Sequence, residues 1–375
     1  MLGAMDHPAG APGRLPLPLP GGRAAWAVAL TVLTSLTSLI PGCALAPPRP
    51  EIAARVALIT PEALGGHVAA LTALGPRVES DEAACRASLD LLAAQLRGWG
   101  YDVREEPFVA PSYPFVRVDA PRAPGEGTVG AAWIRTRVEQ HAHVNLLAER
   151  RGSREPLAVV ELGAHYDTVP GTVGADDDAS GCAALLAVAR ACAQAPLDRT
   201  LRFCFYAAEE TGLHGSAAHA AALAASDETL VGALVMDMVG FASDAPDSQE
   251  APVRIPLIAW MPETADFIFL AGNWSSGGLA DDYEDAAARY VPGLRTWGVK
   301  RIAGWFADAG RADHASYWAH GLHAILLTDT AEFRSPHYHR PSDTPATLDL
   351  PFAAEVARAA CAWALEHAGP PPASR

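Results

Sequence analysis

From Leu157 onward the chain alternates strand and helix, and this succession constrains its fold more than any other feature. "LAVVELGA" (157–164) reads as a strand and Ala179–Ala193 as a helix. "LRFCFYAA" (201–208) reads as a strand and His214–Ala224 as a helix. "GALVMDM" (232–238) and "HAILLTD" (323–329) add two strands before a last helix over Pro351–Glu366. Strands separated by helices pair in parallel, which predicts an α/β fold with a mainly parallel sheet and helices on both faces. "LRFCFYAA" is apolar at both alternating sets of positions, as in a strand buried on both sides. Upstream, "EAACRASLDLLAAQLRGWGYDV" sets Leu89, Leu92 and Leu96 on one helical face and stops at Gly98 and Gly100. Segments around Val103–Val109, Val116–Val118 and His143–Ala148 read as strands. Residues 242–310 are less regular, and neither a repeat nor a second domain is evident.

The formal net charge of −15 argues against a nucleic-acid partner, whose phosphates call for a basic surface. The first residues differ from the rest. Arg14 and Arg23 precede the apolar run "AAWAVALTVLTSLTSLIPGC", then small residues and "APPRP". This pattern predicts an export signal or a membrane anchor over residues 1–46, with a tether over 47–60 and the main domain over 61–370. "IPGC" resembles a lipobox ending at Cys43, with Pro41 where a small residue is usual. The expected location is the periplasm, the cell envelope or the medium. The other cysteines (Cys85, Cys182, Cys192, Cys204 and Cys361) form no C-x-x-C, so they suggest no thiolate metal site.

In open α/β sheets, ligands bind beyond the carboxyl ends of the strands. His165 and Asp167 follow "LAVVELGA". Glu209 and Glu210 follow "LRFCFYAA". Asp237 ends "GALVM", and His337 and His339 follow "HAILLTD". "GADDDASG", with Asp176, Asp177 and Asp178, lies between the first strand and its helix. So many carboxylates on one rim raise each other's pKa unless a multivalent cation joins them. Mixed imidazole and carboxylate donors favour zinc over magnesium or calcium. Three carboxylates, two divalent ions and one hydroxide sum to zero, which favours two ions. Neighbouring strand residues face opposite ways, so Glu209 and Glu210 can take different tasks.

The blocks "GAHYDTVPGTVGADDDASGCAALL", "FCFYAAEETGLHGS", "VMDMVG", "RADHASYW" and "HYHRPSDTPATL" resemble, in order, the M28 family of zinc aminopeptidases, over about Pro61–Ala368. The resemblance implies a single α/β domain with a mixed, mostly parallel central sheet, and two zinc ions per chain, with His165 and Asp237 on one, Glu210 and His339 on the other, and Asp177 bridging both. It implies Glu209 as general base and Asp167 as the carboxylate that orients His165. His314 falls near a residue that, in some relatives, stabilises the tetrahedral oxyanion. A cis Asp177–Asp178 peptide is also implied. The expected substrate is a peptide or protein with a free amino terminus. Glutaminyl cyclases, which use one zinc, are the alternative on the same fold, followed by other amidohydrolases and by a non-catalytic binding relative. His141 and His143 alternate on a strand and are expected at the surface, and His214 and His219 lack H-E-x-x-H spacing. Trp274, Trp305 and Phe306 are pocket candidates, for which core packing is the plainer expectation.

Overall fold

The structure is a computed structural model that describes residues 46–112, 115–120, 130–135, 139–251 and 261–371. The expected export segment, Cys43 included, lies outside these residues apart from Ala46. Three helices come first: α1 (Pro50–Val56), α2 (Pro61–Thr72) and α3 (Glu82–Gly98). Then come β1 (Asp102–Ser112), β2 (Phe115–Ala120), β3 (Gly130–Arg135) and β4 (Glu139–Arg150). The alternating part follows as β5 (Glu155–His165), α4 (Ala179–Cys192), β6 (Arg199–Tyr206), α5 (His214–Ala224) and β7 (Thr229–Met236). The chain closes with β8 (Phe267–Gly272), α6 (Gly277–Tyr290), β9 (Arg295–Val299), α7 (His314–Ala319), β10 (Ala324–Thr328) and α8 (Leu350–Ala368).

Eight strands form one sheet in the order β1-β4-β6-β5-β7-β10-β8-β9, and β2 and β3 pair apart as a hairpin. The centre, β6-β5-β7-β10, is parallel. The flanks, β4 on β6 and β8 on β10, are antiparallel. All four parallel strands therefore end on one rim.

Strand alternation divides the core into two layers. Val160, Leu162, Phe203, Phe205 and Leu234 pack with α2, α3, α4 and α8 in the larger layer. Cys204, Tyr206, Ala233, Val235 and Leu326 pack with α5 and α7 in the smaller. Burial of β6 on both faces follows directly from its lack of a polar set. The tether expectation fails over part of its length. Pro50 starts α1, and its Ile52 and Val56 are buried among residues of α8, so these residues belong to the body. Among the described residues, no helix is long and apolar enough to cross a membrane.

Arg77 is fully buried just before α3. Its Nε donates to the Tyr166 carbonyl at 2.7 Å, Nη1 to Val173 at 2.6 Å and Nη2 to Gly174 at 3.2 Å. One guanidinium thus shapes the whole β5–α4 connection. Gly174 is required in that connection: its φ is +54°, and a Cβ there would stand 2.1 Å from the Asp177 carbonyl oxygen. Arg77→Met should strand three buried carbonyls and cost on the order of 3 kcal/mol. Urea unfolding checks this; an unchanged midpoint would show that the loop holds its shape without Arg77.

Candidate metal centre

Four connections on the rim bring the acids and histidines together. His165, the last residue of β5, is 1 % exposed. Its Nε2 lies 3.2 Å from Asp177 Oδ1 and 3.8 Å from Asp237 Oδ1. Across the cluster, His339 Nε2 lies 3.1 Å from Asp177 Oδ2 and 3.2 Å from Glu210 Oε2. Donor atoms of His165, Asp177 and Asp237 lie within 4.8 Å of one another, and so do those of Asp177, Glu210 and His339. The two triads share Asp177, one carboxylate oxygen to each. A third overlapping group is His165, Glu209 and Glu210.

Local geometry explains how each side chain is aimed. Asp177 follows the glycine bend at Gly174, and its peptide to Asp178 is cis. Ala208, Met238 and His339 have φ of 57°, 53° and 55°, left-handed values that cost a non-glycine residue energy and that collect at functional sites. His339 is itself a ligand candidate, Met238 adjoins Asp237, and Ala208 adjoins Glu209. Here the strand-alternation argument for the two glutamates is corrected. β6 stops at Tyr206, and the left-handed turn at Ala208 carries both Glu209 and Glu210 out of the strand, so strand alternation does not aim them.

Aspartates in the cluster also accept backbone N–H groups and so tie the loops to one another. Asp167 Oδ1 accepts from Glu209 N at 3.1 Å and Oδ2 from Glu210 N at 3.3 Å. Its Oδ1 is 3.7 Å from His165 Nδ1, so one carboxylate faces the imidazole and fixes the β6 loop. In the Asp triplet only the middle residue faces both triads. Asp176 accepts from Gly240 N at 2.9 Å. Asp178 accepts from Gly181 N at 2.9 Å, capping α4, and from Met238 N at 3.1 Å. The two flanking residues thereby hold the loop of Asp237.

The electrostatics are those of an acidic cluster short of positive charge. Burial and the nearby Asp177 push the Glu210 carboxyl up to about 7. Burial drives Glu209 well above the usual range, with Asp237 and Glu210 adding to it. Burial opposes charge on His339, yet Asp177 and Glu210 raise it to about 10. His165 likewise rises well above its ordinary value, through Glu209, Asp167, Asp177 and Asp237. The cluster draws protons onto its own groups, the work a multivalent cation would otherwise do. Both ring nitrogens of His165 are buried without a hydrogen-bond partner, although Nε2 faces two carboxylates. Imidazole with carboxylate donors, four per cation counting the shared one twice with a water, suits zinc.

The cluster opens onto a cavity of about 180 Å³. Glu209 lines it beside the triads. Phe269, Trp297, Val299 and Leu326, from β8, β9 and β10, make an apolar wall, with Arg311 and Glu332 also on the lining. Phe269 and Trp297 lie with ring centroids 5.6 Å apart. Phe306 lines the cavity, whereas Trp274 and Trp305 are 80 % and 82 % exposed and serve neither as core nor as its wall.

His314 departs from expectation. Its ring is fully buried, does not line the cavity, packs edge-on against Trp318 and hydrogen-bonds through Nε2 to the Ala309 carbonyl at 2.7 Å. Burial pulls its pKa down to about 4, so a neutral ring supports the 3₁₀ turn before α7. The preceding residue, Asp313, is the one whose charge is felt in the cluster: burial, with Asp237 and Asp167 nearby, holds it up at about 7. Nothing in the motif distinguishes the two positions. His219, on α5, belongs to a separate buried group, 3.1 Å from Glu106 and 3.3 Å from Glu161, and completes an ion network with Arg202.

Comparison with known proteins agrees with this architecture. Residues 145–364 match the model of peptidase family M28. The protein YfbL of Escherichia coli (strain K12) is 32 % identical over 226 residues, 56 % of this chain and 67 % of that protein. A probable leucine aminopeptidase 2 of Aspergillus fumigatus is 39 % identical over 106 residues, 28 % of this chain and 21 % of its own length. The solved zinc aminopeptidase BSAP of Bacillus subtilis superposes with a TM-score of 0.64 at 17 % identity, covering 84 % of this chain and 97 % of that one, a likeness of fold.

Proposed function

The chain belongs to peptidase family M28, and on that premise we propose that it is a dinuclear zinc aminopeptidase, removing the first residue of peptides or proteins. The observation that carries this reading is the pair of triads sharing Asp177 beside a cavity with Glu209 in its wall. His165 and Asp237 would hold one ion, Glu210 and His339 the other, and Asp177 both. When bound, the two ions supply a water of lowered pKa and an electrophile for the scissile carbonyl.

The remaining steps fall to the chain's own groups. Glu209 takes the proton of the attacking water and returns it to the leaving amine. Asp167 keeps His165 oriented and holds Glu209 through its backbone N–H. The apolar wall of Phe269, Trp297, Val299 and Leu326 receives the side chain of the first residue and keeps water from the reacting bond.

A panel of aminoacyl chromogenic amides, assayed with and without chelator, tests the reading. We expect zinc-dependent cleavage, with kcat/KM for leucine and phenylalanine amides at least tenfold above those for glutamate and lysine, because the wall is apolar and the charged Arg311 and Glu332 on the lining are paired with each other. Cyclisation of amino-terminal glutamine with one zinc per chain would instead make the protein a glutaminyl cyclase. No turnover of any member would leave a binding protein. Export through residues 1–46, with attachment at Cys43, belongs to the same proposal and predicts activity in the envelope fraction.

A further inference from the structure

We propose that Asp343 is a positioning residue that sets the affinity of the Asp177–Glu210–His339 triad for its cation; this inference rests on the two-metal reading above. Asp343 is 1 % exposed and is not among the ligand candidates. Its Oδ1 accepts from Asp176 N at 2.9 Å and its Oδ2 from Asp177 N at 3.2 Å. The carboxylate therefore grips the backbone of the residue whose side chain is shared by both triads.

The same residue is rigidly linked to His339. Arg340 N donates to the His337 carbonyl at 2.9 Å, and Asp343 N donates to the Arg340 carbonyl at 3.0 Å, so His339 and Asp343 belong to one folded turn. His339 needs such support more than its partners do. Its side chain is 36 % exposed, against 6 % for Asp177 and 5 % for Glu210, and its backbone holds a left-handed φ. Asp343 thus joins the loop after β10 to the loop before α4, over a sequence separation of 166 residues. The distance from His339 Nε2 to Asp177 Oδ2 is fixed by this clasp. The opposite triad, built on His165 and Asp237, is held by Asp167, Asp176 and Asp178 instead.

The discriminating variant is Asp343→Asn. It keeps the side-chain volume but turns an amide donor toward one of the two N–H groups. Asp343→Ala removes both acceptors. Stepwise zinc affinities are measured by competition with a chromophoric chelator, alongside melting of the metal-free proteins. We expect the parent to take two ions. In both variants the tighter or looser step belonging to the His339 triad should weaken by about 10- to 100-fold. The other step should stay within about threefold, and metal-free melting should stay close to parental in Asp343→Asn. His339→Ala in the parent background identifies which step is which. Two parental affinities in Asp343→Asn overturn the proposal, and so does equal weakening of both steps, which would mean that Asp343 merely supports Asp177. A parent that binds a single ion defeats the two-metal reading instead. The clasp is then judged on that ion: tenfold weakening in Asp343→Asn keeps it, and parental affinity ends it.

Discussion

Glu209→Gln should leave the zinc content of the protein unchanged and lower kcat on a leucine amide by about 10³-fold, within the range that general acid–base groups contribute. The substitution keeps size and hydrogen-bonding capacity and removes only the ability to accept and return a proton. Metal binding should survive, because both triads are complete without Glu209. The backbone N–H of residue 209 still has Asp167 Oδ1 to donate to, so the loop should keep its shape. A fall in kcat with KM little changed marks an interaction made only in the transition state. Steady-state kinetics beside metal analysis on the same preparation decide the matter. If turnover drops less than tenfold, another group moves the proton. If zinc is lost, Glu209 is a ligand, as its membership of the group with His165 and Glu210 would then indicate.

What the sequence discloses about such a site depends on how local the cause is. The four parallel strands were legible because each is a short apolar run, with helical stretches after β5 and β6. His165, Glu209, Glu210 and Asp237 followed, since they sit at or just past strand ends, whereas only the family resemblance set His339 apart from His337 and Asp177 apart from its neighbours. β9 was not legible: its residues are exposed or half-buried with no alternation, so the Trp297 wall of the cavity left no period-two signal. The aspartate clasps were equally hidden. Asp343 gripping the backbone of Asp177, or Asp167 gripping that of Glu210, depends on amides brought near by the tertiary fold. No spacing rule encodes a carboxylate meeting an N–H more than forty residues away. His314 shows the reverse error. A histidine beside a motif drew attention, while its neighbour Asp313 carried the charge that reaches the cluster.

Stripping the metal should abolish turnover and also make stability depend on pH in one direction. Without a cation, Glu210 and Asp313 have folded-state values near 7, raised from the ordinary carboxylate range chiefly by burial. A group raised in this way contributes stability that is complete below its unfolded pKa and is lost as pH climbs through the folded value. His339, raised to about 10 by Asp177 and Glu210 against the opposing effect of burial, has the same sign from its ordinary value upward. Asp177, held well below the usual range by His165 and His339 despite its burial, does not change between pH 6 and pH 8. The varying groups of the cluster therefore favour the lower pH and outweigh His67, His143, His214 and His314, which burial lowers and which favour the higher, so the metal-free protein should melt higher at pH 6 than at pH 8. Zinc reverses the trend, because its ligands must be deprotonated to bind it. Free zinc at a thousand times its dissociation constant adds about 4 kcal/mol to the folded state. The melting increment on adding zinc should accordingly be larger at pH 8 than at pH 6, with turnover returning as two equivalents are restored. Scanning calorimetry of stripped and reloaded protein at both pH values measures this. A metal-free protein that melts higher at pH 8 would mean that the cluster does not dominate the pH dependence, and one that zinc does not stabilise would mean that the cluster is not a cation site at all.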